Sequence, residues 1–271
     1  MKKPPPCIAL LTDFGNADVY GGLLKAVIYS VCPAAAIIDL CHGIEPQNVL
    51  HGAAVLESSY EYFPEGTVFV CVVDPGVGTP RKILAVKSRD YYFIGPDNGL
   101  LAPVIKRERG AKVRLLENRK FFRPGPFSST FHGRDIMAPV AAHLAKSGGV
   151  RFSQLGPLAK NFHRLEIPRP VKMRRFIEGL VLYFDHYGNA VTNIRKEDML
   201  EDFWKGRQVQ VKRKNIGFIR SHYAGDKNKP LALFNSFSRL EIAWPAGSAK
   251  DRMGLAIGDK VRIRSGNEPE I

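Results

Sequence analysis

Residues 67–81 read TVFVCVVDPGVGTPR. The run Thr67–Val73 is apolar and β-branched without alternation, the pattern of a strand buried on both faces. Asp74 ends it. Pro75, Gly76, Gly78 and Pro80 then exclude a helix and impose a sharp loop, with Arg81 on its far side. An acid at the carboxyl end of a core strand stands at the edge where open α/β sheets bind ligands. In an ordinary tight turn the same acid would cap backbone amides. Taken alone, the stretch admits either reading.

Working outward, Cys7–Leu11 (CIALL) and Ala36–Leu40 (AIIDL) predict two further strands. Between them Leu23, Leu24, Val27, Ile28 and Val31 share one helical face that Pro33 closes, with Asp18 placed as an N-cap or first-turn acid. Pro46 is expected to open a second helix running to about Tyr62. Strands alternating with helices imply a parallel sheet with crossover helices. Downstream, Ile83–Lys87 and Tyr91–Ile94 read as an antiparallel pair and Leu100–Ile105 as a short helix. A Pro/Ser-rich stretch, Arg123–Thr130, leads to Phe131-His132-Gly133-Arg134-Asp135 and a helix with Ile136, Val140 and Leu144 on its apolar side. His132 at this loop-to-helix junction is a site residue or a core or capping histidine.

Ile167-Pro168-Arg169-Pro170 is a natural linker, separating an α/β domain (1–166) from a second domain (171–271). The latter is patterned as short strands: Phe176–Phe184, Gln208–Val211, Leu231–Phe234, Leu240–Trp244 and Lys260–Arg264. The fold class is therefore α/β, with a mostly parallel sheet sandwiched by helices followed by a smaller antiparallel β-barrel-like domain. Two of its loops are dense in polar groups: Asp185-His186-Tyr187-Gly188-Asn189, followed by Thr192 and Asn193, and Asn235-Ser236-Phe237, followed by Glu241.

The 271 residues, 45% of them apolar, suffice for a substantial core. No apolar run has the length of a membrane span, and MKKPPPCIALLTD reads as a short tail entering the first strand, not a signal peptide. Cys7, Cys32, Cys41 and Cys71 lack CxxC spacing and are expected to be buried thiols of a cytoplasmic protein. The net charge of +14 is spread over clusters at Arg107–Arg109, Lys172–Arg175 and Lys212–Lys214 with no nucleic-acid motif, so neither nucleic acid nor membrane is an expected partner. Gly76-Val77-Gly78 lacks the third glycine of a dinucleotide fingerprint, and Pro80 falls where its helix should begin. A P-loop, an HExxH pair and a GxSxG elbow are all missing, and the 7 histidines show no paired metal-ligand spacing.

What remains is Asp74, Arg81 and His132. A carboxylate, a guanidinium and an imidazole can orient one water. Water ionises near pH ~15.7 and a free aspartate near ~3.9, so a carboxylate generates little hydroxide in advance. Such a site suits an electrophile that already carries a good leaving group.

At this point the stretches TDFGNADVYGGLLKAVI, CHGIEPQNVLHGA, FPEGTVFVCVVDPGVGTPR, YYFIGPDNGLL, FHGRDIMAPVAAHLA, DHYGNAVTNI and NSFSRLEIA together resemble the S-adenosylmethionine hydrolases, or S-adenosylmethionine hydroxide adenosyltransferases, relatives of fluorinase and chlorinase. The resemblance implies attack of water on the ribose 5′ carbon, giving adenosine and L-methionine, with S-adenosylmethionine as substrate and no cofactor or metal. Its sulfonium leaves as a neutral thioether. The resemblance further implies Asp74, Arg81 and His132 as the water-orienting set and Asp13 as the grip on the ribose diol. In the second domain it implies Asp185 toward the methionine ammonium, Ser236 toward its carboxylate and Asn189 toward adenine. Phe131, Tyr187 and Trp244 would be apolar or stacking walls, Glu241 a further contact, and Asp18 either a methionine-end contact or a helix cap. Family members are homotrimers with active sites at subunit interfaces, so the same is expected here. The halogenating relatives carry tyrosine in place of Asp74 and serine in place of Gly133, and have an insertion that this chain lacks. Gln47 stands where fluorinase has a tryptophan. Hydrolysis is therefore the expected chemistry, with halogenation or ligand binding without turnover as its rivals.

Overall fold

The computed structural model describes residues 4–173, 176–199 and 207–265. The first three residues of the expected tail, and Arg174 and Arg175 of the Lys172–Arg175 cluster, lie outside them. The chain divides into two compact units, Met1–Glu166 and Ile167–Ile271.

The first unit is built on six strands: β1 (Cys7–Thr12), β2 (Ala36–Cys41), β3 (Val68–Val72), β4 (Ile83–Lys87), β5 (Tyr92–Pro96) and β6 (Lys112–Leu115). Their order is β2-β1-β3-β5-β4-β6. β1 lies parallel to both β2 and β3, and β3 parallel to β5. β4 runs antiparallel to β5 and β6. The unbroken apolar run of β3 has its cause in this position, because every one of its residues is buried. Val68, Val70 and Val72 face one core. Phe69, Cys71 and Val73 face the other.

Helices cover both faces: α1 (Tyr20–Val31), α2 (Val49–Ser59), α3 (Ala102–Arg107) and α4 (Ala138–Ala145). Leu24 and Ile28 of α1 and Val140 and Ala141 of α4 join the first core. Ala53 and Leu56 of α2 and Val104 of α3 join the second. Each fully buried aliphatic side chain contributes about 1.5–3 kcal/mol.

Several boundaries differ from expectation. Asp18 is exposed and caps nothing; α1 starts at Tyr20 behind Val19, with no side-chain cap, and Leu23 faces outward at 37% exposure. Pro46 does not open α2. Gln47 takes a left-handed φ of 64°, and Asn48 caps the helix by accepting the His51 N–H at 2.9 Å. β6 carries no strong apolar signal and was not expected. Beyond His132 the chain makes a π-helical turn, Gly133–Met137, before α4 begins. Pro139 in the first turn of α4 has no N–H for the Asp135 carbonyl. The Arg123 N–H satisfies that carbonyl instead, at 2.9 Å, and thereby docks the 123–130 loop on the turn.

The second unit contains β7 (Val171–Lys172), β8 (Phe176–Phe184), β9 (Ala190–Arg195), β10 (Arg207–Val211), β11 (Lys214–Arg220), β12 (Leu231–Phe234), β13 (Arg239–Ala243), β14 (Lys260–Ser265) and the short α5 (Ala249–Met253). A β14–β8 pairing closes seven of the strands into a barrel, with β7 attached to β8. One neighbouring pair, β11 and β12, is parallel. Ile177, Val181, Ile194, Val209, Leu240 and Ile263 fill the interior. Thr192 and Asn193, which follow the Asp185 loop, belong to β9. Their polar atoms are satisfied inside the barrel wall: Thr192 Oγ1 donates to Leu240 O at 2.8 Å, and Asn193 Oδ1 accepts from Leu180 N at 2.7 Å.

Candidate active site

β3 delivers Asp74 to the edge of the first sheet. In the loop that follows, Gly78 has φ 82°, and a Cβ there would stand 2.4 Å from the Ser129 carbonyl oxygen. Only glycine fits this position, where the Asp74 loop meets the loop that leads to His132. Arg81 then turns back on Asp74 as a fork: Nε donates to Oδ1 at 2.7 Å and Nη2 donates to Oδ2. The two side chains are 10% and 5% exposed, so this ion pair is sheltered from water.

Arg81 Nη2 also reaches His132 Nδ1, at 3.0 Å. An arginine can only donate, so Nδ1 is the acceptor and the ring proton sits on Nε2. Burial, then the Arg81 charge, holds the His132 pKa below its ordinary value, with Asp74 and Asp135 opposing. The imidazole is neutral at physiological pH.

Asp74 and His132 line a cavity of about 240 Å³ together with Asp13, Gln47, Phe131 and Gly133. Arg81 is not among the lining residues; it orients Asp74 and His132 from behind. Asp13, just past β1, accepts the Gln47 N–H on Oδ2 at 2.8 Å, a bond made possible by the left-handed Gln47 backbone. Phe131 is held edge-on by Phe14 and Tyr20, at centroid distances of 5.7 and 5.3 Å. Asp18 is not part of the cavity wall.

In the second unit Asp185 organises its own loop. Its Oδ1 accepts the N–H groups of Tyr187 and Asn189 at 2.9 and 2.8 Å, and its Oδ2 accepts Asn189 Nδ2 at 2.9 Å. Asn189 is buried, whereas Tyr187 is 74% exposed. Ser236 sits on an exposed tip shaped by Asn235, whose Oδ1 accepts Phe237 N at 3.0 Å and Arg239 N at 3.1 Å. Glu241 is only 2% exposed. It accepts Tyr223 Oη at 2.8 Å and Asn235 Nδ2 at 3.0 Å, so it braces the Ser236 loop from inside. Burial first, and the nearby Asp185 charge, push its pKa up against those two hydrogen bonds. Trp244 donates Nε1–H to Lys227 O at 2.8 Å and carries the Arg252 guanidinium 5.2 Å from its ring centroid. Tyr223 had no sequence signal, lying alone in a polar stretch.

The chain matches the SAM hydroxide adenosyltransferase N-terminal domain over residues 8–156 and the corresponding C-terminal domain over residues 179–262. A (R)-S-adenosyl-L-methionine hydrolase of Thermus thermophilus is 36% identical over 264 residues, 94% of this chain and 98% of that protein. A fluorinase of an Actinoplanes species is 29% identical, covering 95% of this chain and 97% of that protein. A crystal structure of an uncharacterized conserved protein from Thermotoga maritima superposes with a TM-score of 0.87 at 38% identity, covering 95% of this chain and 99% of that one. The chain belongs to the SAM hydroxide adenosyltransferase family.

Proposed function

We propose that this protein hydrolyses S-adenosyl-L-methionine to adenosine and L-methionine. The observation that carries the reading is the sheltered Asp74–Arg81–His132 cluster facing a cavity through its carboxylate and its imidazole. A water accepting from His132 Nε2–H and donating to Asp74 has its remaining lone pair directed into the cavity. It attacks C5′ in line with the sulfonium. The new C–O bond forms as the C–S bond breaks, methionine departs with the sulfur electron pair, and the water proton passes to Asp74 and then to solvent. The step balances with water alone, so no cofactor is part of the proposal.

Asp13 meets the ribose hydroxyls and Phe131 forms a wall beside them. Asp185 faces the methionine ammonium and Ser236 its carboxylate. Asn189 has given its Nδ2–H to Asp185, which leaves Oδ1 for the adenine amino group. Tyr187 and Trp244 supply stacking surface, and Asp18, freed from capping, is assigned to the methionine end. A halide is disfavoured at this site, because the Asp74 carboxylate would repel it. A serine in place of Gly133 would also crowd Val72, whose Cγ1 lies 3.2 Å from a Cβ built there.

Ligand pockets for molecules of drug size span about 300–1,000 Å³. The cavity of the first unit, about 240 Å³, is short of a whole nucleoside–amino acid conjugate. That shortfall, with the family resemblance, supports a homotrimer whose sites combine groups from different subunits. No helix among the described residues is long and apolar enough to cross a membrane. The four free cysteines support a cytoplasmic setting.

The test is incubation with S-adenosylmethionine in water enriched in heavy oxygen, without halide. The label is expected at the 5′ oxygen of adenosine; bound but unchanged substrate would overturn the reading. Sedimentation of the same sample should give the trimer mass, and a fully active monomer would refute the assembly.

A further inference from the structure

Asp135 is fully buried in the π turn that follows His132 and is not among the residues that line the cavity. Its carboxylate is saturated. Oδ1 accepts Arg123 Nε at 2.8 Å and Arg134 Nε at 2.7 Å; Oδ2 accepts Ser128 N at 2.8 Å and Arg134 Nη2 at 2.9 Å. Its backbone N–H donates to Phe131 O at 3.2 Å, and its carbonyl is the one that Pro139 leaves to Arg123 N. Burial opposes the charge, but Arg134, the Ser128 amide and Arg123 bring the Asp135 pKa down to about 2. A buried anion of this kind is tolerable only when fully paired.

These bonds join three pieces of chain that the reaction needs in register. The 123–130 loop packs on Gly78 through Ser129, and so reaches the Asp74 loop. Arg134, held by Asp135, lies 5.3 Å from the Phe131 ring. His132 is the residue between Phe131 and the turn. We infer that Asp135 is a positioning residue for the reaction, its buried carboxylate tying the 123–130 loop to the turn so that His132 presents Nε2 toward the attacking water. The inference rests on the hydrolase reading above. Asp135 is buried outside the cavity lining and would act through His132, where a shift of about 1 Å at a reacting group costs roughly 10²-fold in rate.

The test compares Asp135→Asn, which puts an NH₂ against two guanidiniums, with Arg123→Met, which removes one of the loop's bonds to Asp135, at a half-exposed side chain, and leaves those of Ser128 N and Arg123 N. Steady-state hydrolysis of S-adenosylmethionine is followed from pH ~8 to ~5 alongside a thermal melt. Asp135→Asn should lower kcat by about tenfold or more, and Arg123→Met by about threefold, with KM within about twofold in both. A second readout separates positioning from mere packing. His132 faces Arg81 and Asp74 from the loop after β3 and Asp135 from its own turn. Removing the Asp135 charge should therefore move the acid limb of the kcat profile to lower pH, which loss of packing alone would not do. Wild-type kcat in both folded variants, a loss confined to KM, or an unmoved acid limb in Asp135→Asn would each overturn the inference. Should Asp135→Asn fail to fold, unchanged kcat in Arg123→Met overturns it by itself. Wild-type protein that releases no adenosine would instead defeat the hydrolase reading, and the positioning role with it.

Discussion

Two pairs of carboxylates, Asp74 and Asp135 in the first unit and Asp185 and Glu241 in the second, are held in opposite ways. In the first, Asp74 is forked by Arg81, and Asp135 is clasped by Arg123 and Arg134. In the second, Asp185 is held by backbone amides and Asn189, and Glu241 by Tyr223 and Asn235, all neutral donors. A carboxylate neutralised by a guanidinium can accept a bond from water without binding a cation strongly. A carboxylate held by neutral donors keeps its net charge and attracts one. The sulfonium substrate carries positive charge at both its sulfur and its methionine ammonium. The contrast fits the proposed division, chemistry at Asp74 in the first unit and recognition of the ammonium at Asp185 in the second.

Exchanging the two kinds of carboxylate for alanine tests this division most severely. Asp74→Ala should lower kcat by about 10²–10⁴-fold and leave KM nearly unchanged, because its partner is the water. Asp185→Ala should do the reverse, raising KM by about 30-fold, close to 2 kcal/mol of lost ion pairing, with kcat less affected. Initial-rate kinetics on both proteins decide it. Two variants with the same pattern would erase the distinction.

The acid limb sharpens the comparison. Burial and the Arg81 charge hold the pKa of His132 below the ordinary 6.5. As pH falls the unfolded chain therefore takes up the proton first, and stability tied to the neutral ring is complete above about 6.5 and lost progressively below it. In the folded enzyme, protonation places an Nδ1–H against the Arg81 donor. Turnover should persist below pH 6.5 and then fall with a one-proton slope. A limb at or above pH 6.5 would show that Arg81 does not face Nδ1 in solution.

Much of the first unit was legible because its physics is local. An unbroken β-branched run can only be a central strand, and Gly and Pro after it can only be a loop, so Asp74 and Arg81 were placed before any contact was known. His132 was legible as a junction residue, but its tautomer comes from Arg81, 51 positions away in sequence, and its lowered pKa from burial first and then from that charge. The π turn was not legible, since a pattern of Ile136, Val140 and Leu144 is the same for a helix with or without the extra residue in its first turn. Asp18 and Pro46 were misread as helix-start signals because each precedes its helix by a short turn, the one after Pro46 being held by the Gln47–Asp13 bond. Thr192 and Asn193 follow the Asp185 loop in sequence, but their roles in the wall of the barrel were not legible because their partners, Leu240 and Leu180, lie on neighbouring strands. Tyr223 could not be found at all. It reaches Glu241 of β13 from the connection between β11 and β12.

Tyr223 supplies the smallest effect and the most specific one. Its hydroxyl stabilises the ionised form of Glu241, whose pKa burial has already pushed up. Tyr223→Phe leaves the Glu241 anion with the Asn235 amide alone, at a cost of about 1–3 kcal/mol for a bond to a charged group. The sign of the pH dependence follows. Near pH 8 the anion bears the whole loss, and the melting temperature of the variant should lie clearly below that of the wild type. As pH falls and Glu241 takes up a proton, only a neutral hydrogen bond of about 1 kcal/mol is missing, so the gap should narrow. KM should rise by a few-fold through the loosened Ser236 loop, while kcat, which belongs to the first unit, holds. A gap that stays constant with pH would mean that Glu241 is already protonated in the wild type. Of Asp185 and Glu241 only Asp185 would then be charged, and the proposed attraction for the methionine ammonium would rest on that residue.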